Sequence, residues 1–249
     1  MIAAHPPTPA IAEAAGVLAA VQKAGHALLL PQTVCALAAT TLSELQALHG
    51  SWDDLPPDAY LRDGGRYRRR RHASYVIRGE AVEIAPHRAH WQPLEYNALH
   101  GGLERWFEPI DARVGDAPAW RLLLVAFGGL CSALGGAQPW YAEAHQFRID
   151  TTDGIGRPTP EGAHRDGVDY VAVVLVERTG IKGGETRVFV ADGPAGVRFT
   201  MLQPWSTLFL DDRRVIHEST PIQPLESHGH RDTLVLTFRS NSFQGPDAR

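Results

Sequence analysis

With 249 residues, 44% hydrophobic and 21% charged, the chain can enclose one sizeable core and has an ordinary globular balance. Its formal net charge of −4 leaves no global basic field of the kind nucleic acids or anionic membranes attract. Cys35 and Cys131 lie far apart without Cys-x-x-Cys spacing, which points to buried reduced thiols and a cytoplasmic setting rather than a disulfide.

Residues 1–10 are rich in Pro and Ala and read as a frayed end without the basic flank of a secretory leader. From Ile11 to Lys23 the residues Val17, Leu18 and Val21 recur at helical spacing, and Gly25 is a suitable stop. Ala27 to Leu30 reads as a short buried strand, and Thr33 to Leu48 as a second helix with Leu37, Leu42, Leu45 and Leu48 on its apolar stripe. Asp53 to Pro93 is rich in Arg, Pro and Tyr and shows no clear period. A third helix runs through Trp120, Leu123, Leu124, Phe127, Leu130 and Leu134 to Gly135-Gly136; its stretch Leu122 to Gly136 is too short and glycine-rich to be expected to span a bilayer.

From Trp140 the period changes to two. Tyr141–Asp150, Asp169–Glu177, Glu185–Ala191, Val197–Leu202, Thr207–Leu210, Val215–His217 and Asp232–Ser240 all read as strands separated by Gly- and Pro-rich turns. Many short, closely spaced strands favour a sandwich or jelly roll over alternating βαβ units. The expectation is therefore α+β, mainly β, as a single domain. Residues 1–139 would be helical or irregular support with a substrate-entrance segment, and residues 140–240 a double-stranded β-helix (jelly roll) core.

The chemistry concentrates in Glu161-Gly162-Ala163-His164-Arg165-Asp166-Gly167. Residues two apart on an extended segment share a face, so His164 and Asp166 can reach one ion. His217 follows a β-like run and a charged turn, and can return beside them. Two histidines and one carboxylate with open opposite positions suit non-haem Fe(II) oxygen chemistry. Arg231 opens the last strand, where its fork could hold the far carboxylate of a dicarboxylic co-substrate. Gln146 and Arg148 share a face opposite Phe147, and one of them is a candidate contact for substrate or co-substrate. His87 and His90, at i,i+3 spacing, have no evident partner carboxylate and are assigned no site, nor is the His228-Gly229-His230 turn.

In this order, His164-x-Asp166, His217 and Arg231 resemble the Fe(II)/2-oxoglutarate-dependent dioxygenases. The segments His145-Gln146-Phe147-Arg148, Thr159-Pro160-Glu161-Gly162-Ala163-His164, Gly183-Gly184-Glu185-Thr186 and His217-Glu218-Ser219-Thr220-Pro221-Ile222 resemble the bacterial free-amino-acid hydroxylase branch, of the L-isoleucine dioxygenase type. The likeness covers roughly residues 140–240. It implies a jelly roll, Fe(II) on His164, Asp166 and His217, and O₂ and 2-oxoglutarate as co-substrates, with ascorbate as reductant. It further implies Arg231 on the distal carboxylate of 2-oxoglutarate, assisted by Thr233, with Gln146 as a further cofactor contact.

The prime substrate implied is a free L-amino acid or small derivative, hydroxylated at an aliphatic carbon and held by charge at its ends. Arg148, Tyr170 and one arginine of the run Arg66-Tyr67-Arg68-Arg69-Arg70-Arg71, with Arg69 as its representative, are the substrate-binding candidates. Trp140 and Tyr141 are further pocket candidates. Alternatives remain open: a metal-binding cupin-like ligand sensor without oxygenase activity, or a dioxygenase acting on a protein residue or, through the arginine run, on nucleic acid. The main reading expects a small-molecule partner, neither nucleic acid nor membrane, and leaves room for a homodimer.

Overall fold

The computed structural model describes residue 9 and residues 11–97, 99–193 and 195–246; the expected frayed end therefore falls almost wholly outside the described residues. Helix α1 (Val17–Ala24) ends at Gly25, whose φ of 75° is the left-handed conformation a glycine supplies without a Cβ penalty. β1 (His26–Leu29) follows. The second expected helix is broken in two. α2 (Pro31–Ala38) stops where Ala39 turns left-handed at φ 48°, and α3 (Leu42–Gln46) restarts on a capping box between Thr41 and Glu44.

The stretch without a legible period contains a long strand, β2 (Arg68–Arg78), and its hairpin partner β3 (Ala81–Ile84). Next come α4 (Ala112–Gly115), α5 (Pro118–Gly135), β4 (Trp140–Asp150), β5 (Tyr170–Thr179), β6 (Ile181–Gly183) and β7 (Thr186–Val190). β8 (Gly196–Phe199), β9 (Thr207–Asp211), β10 (Val215–Ser219), β11 (Ile222–Pro224) and β12 (His230–Arg239) complete the chain. Among the described residues the strands form a seven-stranded sheet in the order β1-β9-β5-β12-β4-β2-β3, a three-stranded sheet β10-β7-β8 and a β11-β6 pair. Every named pairing is antiparallel. This is the expected jelly roll, with β1, β2 and β3 from the segment before residue 140 built into its main sheet.

Two apolar layers fix which face each strand turns inward. On the outer face, Ala73, Tyr75, Ala142, Ala144, Tyr170, Ala172 and Phe209 pack with α1, α2 and α5; the alanines let the helices approach closely. α5 is the one described helix of sufficient length and hydropathy to cross a membrane, and here Trp120, Leu123, Leu124 and Phe127 are buried in this layer. On the inner face, Val171, Leu175, Leu208 and Leu210 meet Val188 and Val215 of the smaller sheet. Alternation then puts residues 143, 145, 147 and 149 of β4, and 231, 233, 235 and 237 of β12, inside the roll.

Candidate active site

His164 and His217 are brought together by their own backbones: each donates its N–H to the other's carbonyl, at 3.1 and 2.9 Å. His164 lies on an isolated bridge before β5 rather than within a strand. The ring Nδ1 of His164 donates to the Gly162 carbonyl at 2.9 Å, which fixes the tautomer and leaves Nε2 free to ligate. Asp166 sits between the two imidazoles, Oδ1 at 3.7 Å from His164 Nε2 and Oδ2 at 3.7 Å from His217 Nε2. Donors sharing one ion at bonds of about 2.0–2.2 Å lie no more than ~4.4 Å apart, so these pairs fit a common metal.

The site's electrostatics call for a cation. Burial works against ionising Asp166, yet His164 and His217 outweigh it and hold its carboxyl down at about 2. Burial likewise opposes charging His164, but Asp166 and Glu161 raise it to about 10. Burial and the charge on His164 push His217 down to about 4. The cluster of two imidazoles and an ionised carboxylate thus favours one positive charge, which a proton on His164 or a bound cation supplies.

Asp212 anchors the segment that carries Asp166. Its carboxylate accepts the backbone N–H groups of Asp166, Gly167 and Val168 at 3.0, 2.8 and 3.1 Å. From the other side, Gln92 Nε2 donates to Asp166 Oδ1 at 3.3 Å. Neither residue carries a signal in the sequence, since both act from segments remote in the chain.

Arg231 enters the same pocket from the mouth of β12, with Thr233 one inward position further along. The guanidinium is 4% exposed, and its Nη2 has no partner among the described residues. Burial, then the neighbouring Arg178, lowers its pKa to about 10, so it stays charged near neutrality. A buried cation with an unsatisfied N–H is costly unless an anion joins it.

The arginine run proves to be the start of β2, and its members alternate. Arg68 and Arg70 point inward and line the pocket, sharing the buried carboxylate of Asp58 at 2.7 and 3.7 Å. Arg70 also stacks over Phe107 and Phe147, 3.7 and 4.4 Å from the ring centroids. Arg69 points away, half exposed, 3.6 Å from Asp150. The choice of Arg69 is thereby corrected: cross-strand register places Arg70, Phe147 and Thr233 side by side on the inner face, and the pleat sends Arg69 to the other.

The same phase rule displaces four other candidates, Gln146, Arg148, Tyr170 and Trp140. Gln146 is buried on the outer face, donating to Ser51 Oγ at 2.7 Å. Arg148, also on that face, pairs with both Asp232 oxygens at 2.8 and 2.7 Å and with Asp53 at 3.0 Å. Tyr170 packs between Trp140 and Phe209 in the helix-covered layer. Tyr141 keeps the inner phase of β4 but lies against Phe243, apart from the residues that line the pocket. Ala142 and Ala144 belong under the helices, so 146 and 148 follow them out and 145, 147 and 149 face in.

A second polar cluster forms the pocket wall. Glu143 meets His72, Arg88 and His90 at 3.4, 2.9 and 3.0 Å, so His90 does have a partner carboxylate. Arg70 donates to His145 Nδ1 at 2.8 Å. That nitrogen must accept, and with Arg70 and Arg88 already neutralising the cluster it is ill suited to a second cation. Burial pushes His90 down to about 4 and His145 well below the usual histidine range, giving a wall of neutral imidazoles.

The sequence model of the 2OG-Fe dioxygenase family matches residues 49–237. The chain belongs to this family. The enzyme is a 2-oxoglutarate-dependent iron dioxygenase, using Fe(II), 2-oxoglutarate and O₂. A crystal structure of a bsmA homolog from Methylobium petroleophilum PM1 is 51% identical, with TM-score 0.91, covering 97% of this chain and 99% of the other. IDO from Bacillus thuringiensis shares the fold at TM-score 0.74 and 16% identity, over 94% and 99% of the two chains. The Fe(II)/α-ketoglutarate-dependent dioxygenase TqaL does so at 0.69 and 19%, over 91% and 86%. No curated protein matches the chain.

Proposed function

We propose that this dioxygenase hydroxylates an aliphatic carbon of a free L-amino acid or small amino-acid derivative, as in the L-isoleucine dioxygenase-like branch. His164, Asp166 and His217 would hold the iron, and Arg231 with Thr233 the distal carboxylate of 2-oxoglutarate. When bound, ferrous iron supplies the activation of O₂ that couples oxidative decarboxylation of the keto acid to oxidation of a C–H bond. The protein's own task is positioning: Asp212 and Gly162 orient the ligands, Arg231 orients the keto acid, and the apolar residues Val173 and Val235 keep water from the space between.

The observation that carries this reading is the placement of an unsatisfied, buried Arg231 in the same pocket as the His164–Asp166–His217 cluster. A ligand-sensing metal jelly roll has no use for such a cation. Against a nucleic-acid grip, Arg68 and Arg70 of the arginine run are 5% and 3% exposed, and Arg66 and Arg69 are paired with Asp153 and Asp150. The test is incubation with Fe(II), ascorbate, 2-oxoglutarate and each common L-amino acid, scored for succinate and for a mass gain of one oxygen. Amino-acid-dependent succinate with a hydroxylated product is expected; product from peptides alone would move the substrate to a protein residue.

A further inference from the structure

Arg105, like Arg68 and Arg70, is an inward-facing guanidinium that the mechanism above does not use. Its backbone pairs with His90, and its side chain is 2% exposed and lines the pocket. Nη2 donates to Gln92 Oε1 at 2.9 Å, and Gln92 in turn reaches Asp166. The guanidinium is therefore two hydrogen bonds from the ligand cluster. Its Nε has no partner among the described residues, nor has Nε of Arg70 beside it. Arg68 and Arg70 share Asp58, whereas Arg105 has no ion pair among the described residues.

Glu161 lines the same pocket. One oxygen is 3.5 Å from His164 Nε2; the other, Oε2, is buried without a hydrogen-bond partner. Arg105 and Glu161 are near enough to feel each other's charge, yet they form no ion pair among the described residues. Opposite charges that line one cavity without closing on each other leave a gap that a dipolar ligand can fill. Both unsatisfied atoms would otherwise carry the full cost of desolvation.

We infer that Arg105 and Glu161 are the two poles of a subsite for a zwitterionic α-amino acid, Arg105 with Arg70 taking the carboxylate and Glu161 the ammonium. The inference deepens the amino-acid reading above and rests on it. It makes these residues determinants of specificity: an acid lacking the amine, or an amide lacking the carboxylate, leaves one pole unpaired beside the iron ligands.

The test is calorimetry under nitrogen on protein loaded with Fe(II) and 2-oxoglutarate, so that binding is read without turnover. The twenty common L-amino acids are titrated, then the des-amino acid and the carboxamide of the tightest binder. Wild type is expected to prefer the amino acid over each analogue by roughly tenfold to a hundredfold. Glu161→Gln should weaken the amino acid by a similar factor and leave the des-amino acid within about twofold, with Glu161→Asp recovering part of the loss. Arg105→Gln should weaken both acids and spare the amide; if that variant does not fold, Arg105→Lys, which keeps charge but not the fork, should weaken them less.

If 2-oxoglutarate binds and no amino acid does, the subsite is wrong and the dioxygenase assignment stands. Failure to bind 2-oxoglutarate as well would bring down the larger reading too. A Glu161→Gln change that alters iron affinity while both amino acid and des-amino acid shift equally would make Glu161 a ligand-positioning residue, and overturn the proposal.

Discussion

Asp212 holds Asp166 by its backbone rather than its side chain: Oδ1 accepts the Asp166 N–H at 3.0 Å, while Oδ2 takes Gly167 and Val168. The turn that carries the chain from β9 in the main sheet to β10 in the smaller one thus grips the segment that carries one candidate iron ligand, while β10 itself carries another in His217.

Replacing Asp212 should therefore loosen the metal site without touching it. Asp212→Ala removes three acceptor contacts to buried N–H groups, and Asp212→Asn turns an amide NH₂ toward at least one of those donors. Either change should cost about 2–4 kcal/mol of stability and weaken Fe(II) binding. Thermal denaturation with and without Fe(II) reads both effects; unchanged iron affinity would show that the segment holds its shape unaided.

Arg231→Ala should raise the 2-oxoglutarate KM roughly tenfold to a hundredfold while changing the KM for the amino acid far less, because a charge-assisted contact to one ligand is lost. Arg231→Lys keeps the charge and loses the second N–H, and should fall between. Equal effects on both substrates would place this guanidinium somewhere other than on the keto acid.

Two neighbours in the arginine run should behave oppositely. Arg69→Ala removes a half-exposed side chain and should move stability by no more than ~0.5 kcal/mol. Arg70→Ala leaves His145 Nδ1 without its donor and Asp58 with one cation fewer, and should cost about 2–3 kcal/mol. Denaturant titration of the pair checks the alternation directly; the reverse ranking would mean the strand is a residue out of phase.

Stability should fall on acidification from neutrality. His72, His90 and His145 all have folded-state pKa values below the ordinary histidine value, first because they are buried. Between the folded and unfolded values the unfolded chain binds more protons, so stability is full above about pH 6.5 and declines as the pH falls toward 4, by up to ~1.4 kcal/mol per unit for each histidine. Glu143 is held below its usual range; burial opposes this, and His90 and His72 overcome it. Its contribution is present above the ordinary glutamate pKa and is lost at lower pH still. A melting temperature that stays flat from pH 7 to pH 5 would contradict this arrangement.

The order of the candidate ligands, the jelly-roll class and most strands from β4 onward are legible in the chain itself. His164 and Asp166 are two residues apart, and strands whose apolar side chains alternate announce their period. The arginine run hid its period because both of its faces are charged: Arg68 and Arg70 are tolerated inside only because Asp58, ten and twelve residues upstream, meets them there. Gln146, Arg148 and Tyr170 read as inward-facing for a related reason. Alternation says which residues share a face and is silent on which face is the interior. That choice belongs to the tertiary structure, where Ala142 and Ala144 admit the helices on one side and so commit Phe147 to the other. The convergence of Arg105, Gln92, Glu161 and Asp212 on the ligand cluster is likewise a product of long-range pairing, because no spacing along the chain encodes a meeting of four separate segments.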